Sequence, residues 1–289
     1  MALPDHRYEK LTWKEIDTAA ADETLIVVPV GSTEDHGPHL PLDVDQRLPS
    51  SICEAVAEQR DDTLLLSTLT QGYLPHHMDM PGGITIRWET FVNYVIDVGV
   101  SLAHHGFERI LFVNGHGSNQ HLLEQASRQV NLQYPGVRCA MLSWWELEPV
   151  METLRSNRQA GPQGVGHAGE METAMYLYLA PGEVQMDKAV RDVNVPDNPY
   201  FHNVDFAGDN RAEDSTPVTM MPWWTTFSET GIMGDATAAT AELGEALFTA
   251  AVDGLDAVLD GFVDYPLRPI DDKHTRTVED DEYDPFRPR

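Results

Sequence analysis

Cysteine is nearly missing. The 289 residues hold two, Cys53 and Cys139, too few for a disulfide framework or a Cys-rich zinc site. Both sit in apolar surroundings and read as packing residues. Lysine is scarce too: Lys10, Lys14, Lys188 and Lys273 are the only four among 19 basic residues. Against 47 acidic residues this leaves a net charge of −28, which would repel nucleic acid and anionic lipid. Few Lys and many Asp and Glu also resemble the balance found in proteins of salt-loving microbes. No apolar run reaches the ~18 residues needed to cross a bilayer. The start, "MALPDHRYEKLTWKEID", has no apolar segment of a secretory signal, so a cytoplasmic protein is expected.

What is present is a globular composition, 42% hydrophobic, arranged as short β-branched runs separated by helix-length segments. Strands are predicted at 24–31, 63–70, 109–115 and 137–144. Helices are predicted at 49–60, 88–105, 120–133, 169–179 and 237–262. Strands alternating with helices predict an α/β fold with a mostly parallel central sheet covered on both faces. Residues 183–235 are rich in Pro and Asp and read as an elaborated loop region with room for a hairpin. One domain over 1–264 is expected, followed by an acidic tail over 265–289.

Three clusters carry the chemistry. "PVGSTEDHGPHLPLDVD" (29–45) follows the first predicted strand and brings Glu34 and His36 to its carboxyl end, where open α/β sheets bind ligands. An i, i+2 spacing in extended chain points both side chains the same way. A carboxylate and an imidazole together are natural metal ligands, and Asp45 is placed to fold back and join them. "NGHGSN" (114–119) follows the 109–115 strand and presents His116 between Gly115 and Gly117 at the same edge. "GHAGEME" (166–172) leads into a helix, with His167 ahead of it and Glu170 and Glu172 in its first turn. Negative charge is favoured there, so helix capping is the alternative role for Glu170. Asp35 and Asp43 read as ordinary loop carboxylates, and His104 and His105 as helix-end residues. His39 and the His76-His77 pair stand evenly between site lining and structure.

In order and spacing these three segments, with "MPGGITI" (80–86), resemble the creatininase (creatinine amidohydrolase) family from about Leu11 to Leu259. The resemblance implies a three-layer α/β/α sandwich, often a homohexamer, with two divalent ions per subunit. It aligns Glu34, His36, Asp45 and His116 with metal ligands, Asp45 bridging the ions. It aligns His167 with a catalytic histidine and Glu172 with a glutamate near the metals. Creatinine-cleaving members are similar in carrying His-Tyr-Glu-Asn where this chain has His116-Gly117-Ser118-Asn119, so Glu172 is the candidate replacement ligand. They also carry a Trp-Asp pair before the catalytic histidine; here the stretch is Gly161-Pro162-Gln163-Gly164.

The expected function is metal-dependent hydrolysis of a cyclic or formyl C–N amide bond in a small molecule. The alternatives are a formylamino-pyrimidine nucleotide deformylase, with Arg47 and Arg87 as candidate phosphate ligands, and a peptide-trimming enzyme. From another class comes a non-catalytic metal- or ligand-binding protein. Mixed O/N ligands without thiolate suit zinc, manganese or iron(II) alike.

Overall fold

The computed structural model describes residues 4–161, 163–194, 218, 220–265 and 271. Its centre is a four-stranded parallel sheet in the order β2-β1-β3-β4, built from β1 (Leu25–Val30), β2 (Thr63–Leu65), β3 (Arg109–Asn114) and β4 (Arg138–Ser143). The register pairs Val30 with Asn114, so β1 and β3 end side by side. Side chains alternate between sheet faces, and each face meets its own apolar layer. Leu25, Val27, Leu111 and Val113 pack with α2 (Val44–Gln59), α5 (Glu148–Asn157), α6 (Glu170–Leu179) and α7 (Ala241–Asp264). Ile26, Val28, Val30, Ile110 and Phe112 pack with α1 (Trp13–Ala21), α3 (Trp88–His104) and α4 (Gln120–Gln133). This is the three-layer α/β/α arrangement read from the sequence. Cys53 and Cys139 are buried and free.

Several boundaries differ from expectation. α2 begins at Val44, five residues before the predicted start, and holds Pro49 inside it. Proline favours a first turn, yet Pro49 lies in the second turn of this helix. β2 stops at Leu65, and an isolated bridge pairs Leu69 with Val30. α5 was not anticipated. The hairpin placed in 183–235 is not local: Arg191–Asp192 (β5) pairs antiparallel with Gly234–Asp235 (β6). Residues 195–217 and 219 of that segment, and the expected tail apart from Tyr265 and Asp271, lie outside the described residues. Among the described residues no helix is long and apolar enough to cross a membrane.

Candidate functional site

Two glycines decide how the site is assembled. Gly31 and Gly115 follow β1 and β3 directly, and the first turn of α2 lies across them. A Cβ on Gly31 would sit 2.4 Å from the Asp45 carbonyl oxygen, and one on Gly115 only 2.2 Å from it. That carbonyl has no helical partner to lose, because the residue four places on is Pro49, which lacks an N–H. Bare backbone at the sheet edge therefore lets α2 come close enough to deliver Asp45. Gly117, by contrast, has nothing within 4 Å of a Cβ and no positive φ, so neither space nor backbone conformation requires a glycine there.

The side chain of Asp45 divides between two imidazoles. Its Oδ2 lies 3.1 Å from His116 Nδ1, and its Oδ1 lies 3.1 Å from His36 Nε2. Ser32 donates to the same Oδ2 at 2.9 Å. On the His116 side, Glu34 Oε2 is 3.1 Å from Nδ1. On the His36 side, Glu172 Oε2 is 3.7 Å from Nε2. The structure thus brings all six expected residues together, with His167 Nδ1 3.6 Å from Glu34 Oε1.

Backbone carbonyls select the tautomers. His116 Nε2–H donates to the Tyr73 carbonyl at 3.1 Å, His36 Nδ1–H to that of Glu34 at 3.4 Å, and His167 Nε2–H to that of Asp35 at 2.8 Å. A carbonyl only accepts, so the other nitrogen of each ring faces inward, where it offers a lone pair whenever the ring is neutral. The "NGHGSN" asparagines hold this frame. Asn114 clamps the backbone of His116 from both sides at 2.9 and 3.1 Å. Asn119 ties Gly31 to Tyr73 at 3.0 Å each.

Glu170 and Glu172, neighbours in the first turn of α6, separate cleanly. Glu170 points away and accepts from the Gln159 and Ala160 backbone N–H groups at 2.6 and 2.9 Å. Glu172 faces the site and also accepts from Ala168 N–H at 2.6 Å. Ala168 has φ +52°, an uncommon conformation for a residue with a Cβ, and it sets the turn between His167 and Glu172.

Two further site residues, Asp35 and Trp224, were not expected from the sequence, and His77, which stood evenly between site lining and structure, joins them. Asp35 is buried; its Oδ1 accepts from His77 Nδ1–H at 2.9 Å, so it is no ordinary loop carboxylate. His77 turns its Nε2 toward Glu34 Oε1, 3.7 Å away. Trp224 stacks on His77 with ring centroids 4.2 Å apart and meets His167 edge-on at 4.8 Å. Nothing local in "PWWTT" marks a site residue; only the tertiary return of the chain brings it here. His39 is structural: it bonds Thr173 at 2.9 Å, and Thr173 donates to the Ala168 carbonyl at 3.2 Å. Arg47, a candidate phosphate ligand, is held instead by Asp43 and Glu183 at 3.4 and 3.3 Å.

Electrostatically the cluster asks for a cation. Among the described residues no Lys or Arg forms an ion pair with Glu34, Asp45 or Glu172. Burial pushes the Glu34 carboxyl up to about 7, with Asp45 adding to the rise, and burial likewise pushes Glu172 up to about 7. Burial opposes charge on His36, but Asp45, Glu172 and Glu34 outweigh it and raise it to about 10. His116 is raised well above its ordinary value, because Glu34 and Asp45 overcome its burial. Burial would also raise Asp45, yet His36 and His116 hold it well below the usual range. His167 is held well below its ordinary value by burial and by the neighbouring His36 and His77. Glu34 Oε2 and His36 Nε2 are buried and make no hydrogen bond of good geometry, although His116 Nδ1 and Asp45 Oδ1 lie 3.1 Å from them. Orphaned buried polar atoms are costly. Glu34, His36 and Asp45 offer ligand atoms all within 4.8 Å of one another, as do His36, His167 and Glu172. The donor set and its orphaned atoms fit divalent cations.

Residues 9–259 match the creatininase family, described as creatinine amidohydrolase. The mycofactocin precursor peptide peptidase of Mycolicibacterium smegmatis is 30% identical over 240 residues, covering 80% of this chain and 82% of the relative. Creatinine amidohydrolase of Pseudomonas putida is 29% identical over 269 residues, covering 88% and 96%. A mutant creatininase of the Zn-Zn type superposes with a TM-score of 0.74 at 26% identity, covering 89% of this chain and 98% of that one. With a family match over residues 9–259, relatives at about 30% identity and a matching fold, this chain belongs to the creatininase family, whose members hydrolyse C–N amide bonds.

Proposed function

We propose that the protein is a metal-dependent amidohydrolase that holds two divalent ions about Asp45. Glu34, Asp45 and His116 would hold one ion, and Asp45, His36 and Glu172 the other. The observation that carries the reading is the division of the Asp45 carboxylate, 3.1 Å to His116 through one oxygen and 3.1 Å to His36 through the other. A carboxylate so placed suits bridging, and a mutant creatininase of similar fold is of the Zn-Zn type. Ions in such a pair lower the pKa of water toward ~7 and polarise a substrate carbonyl.

The remaining work falls to the chain's own residues. His167 Nδ1, kept as an acceptor by the Asp35 carbonyl, takes a proton from the attacking water. It then delivers that proton to the leaving nitrogen, so the amine does not depart as an anion. Such general acid–base work is worth ~10²–10⁴ in rate. Trp224 and His77 wall the site beside His167 and limit the water that reaches it.

The substrate reading is an amide C–N bond in a small molecule. A peptide is the second reading, favoured by the 30% identity with a peptide peptidase. The nucleotide reading loses support because Arg47 is engaged by Asp43 and Glu183. The test is bound metal per chain, then release of ammonia, formate or amine from cyclic amides, formylamino compounds and short peptides. Product from one class with two ions bound supports the reading. A protein that binds metal and cleaves none of them points to the non-catalytic alternative.

A further inference from the structure

Asp35 orients two histidines at once, and the consequence lies outside the ion pair. Its side chain takes the Nδ1–H of His77 at 2.9 Å, and its backbone carbonyl takes the Nε2–H of His167 at 2.8 Å. Each ring is left with one lone pair, and both lone pairs turn to the same atom. His77 Nε2 lies 3.7 Å from Glu34 Oε1, and His167 Nδ1 lies 3.6 Å from it. The three ligand atoms fall within 4.8 Å of one another. Glu34 Oε1 is the oxygen turned away from His116, so it remains after Oε2 has been assigned to the Asp45 centre.

A carboxylate oxygen and two imidazole lone pairs repel one another. Something positive between them would remove that repulsion. Ligands of tetrahedral zinc at 2.0–2.2 Å stand about 3.4 Å apart, close to the separations seen. Two histidines and one glutamate also form an established zinc donor set that leaves a coordination position open. The rings are not free to turn aside. His77 is stacked on Trp224 at 4.2 Å and lies 4.9 Å from His167.

We propose that Glu34 Oε1, His77 Nε2 and His167 Nδ1 form a third position for a zinc-class divalent cation. It is weaker than the two positions at Asp45, because its ligands carry one shared carboxylate and it faces two ions already bound. An ion there occupies the lone pair that His167 uses for proton transfer, so the third position is inhibitory. This inference rests on the two-ion reading above and adds a self-limiting response to excess metal.

The test is equilibrium zinc titration, in high salt to screen the acidic surface, with bound zinc counted directly. Wild type, His77→Phe and Asp45→Asn are compared. Phenylalanine keeps a ring against Trp224 but has no lone pair, and thermal melting checks that each variant folds. Wild type is expected to bind one zinc per chain more than His77→Phe at saturation, in a weaker phase that coincides with loss of turnover in wild type. Equal zinc uptake by wild type and a folded His77→Phe overturns the third position. His77→Ala repeats the comparison if phenylalanine does not fold. Asp45→Asn separates the two claims: if it binds as much zinc as wild type, the two-ion reading has failed. If it loses tight zinc while His77→Phe matches wild type, only the third position has failed.

Discussion

The carbonyl oxygen of Asp45 occupies the space where Gly115 would carry a Cβ, 2.2 Å from it, with Pro49 Cγ at 2.6 Å. Gly115→Ala would have to push α2 off the sheet edge and carry Asp45 with it. Overpacking of this kind costs roughly 1–3 kcal/mol, or roughly 2–4 °C in melting temperature per kcal/mol for a chain of this size class. Metal affinity should fall along with stability. Gly117→Ala, two residues away and open on all sides, should leave both nearly unchanged. Thermal melts of the two variants with and without added zinc make the comparison, and equal behaviour would dissociate Gly115 from the site.

Glu172→Gln removes the carboxylate that faces His36 at 3.7 Å while keeping an acceptor for the Ala168 N–H. The expected outcome is one bound ion instead of two, measured as metal per chain. Two ions retained at wild-type affinity would show that another group completes that position.

His167→Asn is expected to lower kcat by roughly 10²–10⁴ with the two tightly bound ions retained. A substrate whose leaving amine is a better leaving group should lose less, since it needs the proton less. An equal loss for good and poor leaving groups would argue that His167 only shapes the pocket.

Proton linkage gives a further outcome. In the metal-free protein His36 is raised to about 10 from an ordinary 6.5 by its carboxylate neighbours, and His116 is raised in the same sense. Stability from these protons is fully present below pH 6.5 and is lost as pH rises through the folded values. Below pH 7 other groups blur the picture: Glu34 and Glu172 act in the same direction, whereas His39 and His76, lowered to about 4 by burial, act oppositely. The clear window is pH 7–9, below the range in which the buried thiols of Cys53 and Cys139 add a loss of their own, and there the chelated protein should lose melting temperature as pH rises. Bound metal needs the neutral rings, so the loaded protein should not share that loss. The gap between the two melting curves should widen toward pH 9; a constant gap would mean that His36 and His116 do not exchange protons for metal.

Much of this site was legible in the chain, for a physical reason. Glu34, His36 and His116 sit at strand ends, and parallel strands ending side by side bring their following residues together whatever the rest of the fold does. Asp45 was legible only as a residue able to return, because the helix expected from residue 49 begins at Val44 and includes the turn that carries the aspartate. The choice of Glu172 over Glu170 needed the helix orientation, since both occupy the same first turn. Asp35 and Trp224 were not legible as site residues, and His77 was legible only as an even choice between site lining and structure. Their roles arise from packing between loops far apart in sequence, and no local pattern encodes which loop meets which. The three-layer fold followed from alternating elements, while α5 was missed because its neighbouring 3-10 turn at Trp144–Glu146 blurs the boundary after β4.

The central claim is that one carboxylate is shared between two ions. Anomalous diffraction from crystals of the metal-loaded protein at the zinc or manganese edge tests it most directly. Two peaks about 3.5–4 Å apart, on either side of the Asp45 carboxylate and each next to one of His36 and His116, are the expected result. A single peak, or ions that leave Asp45 uncoordinated, would contradict it.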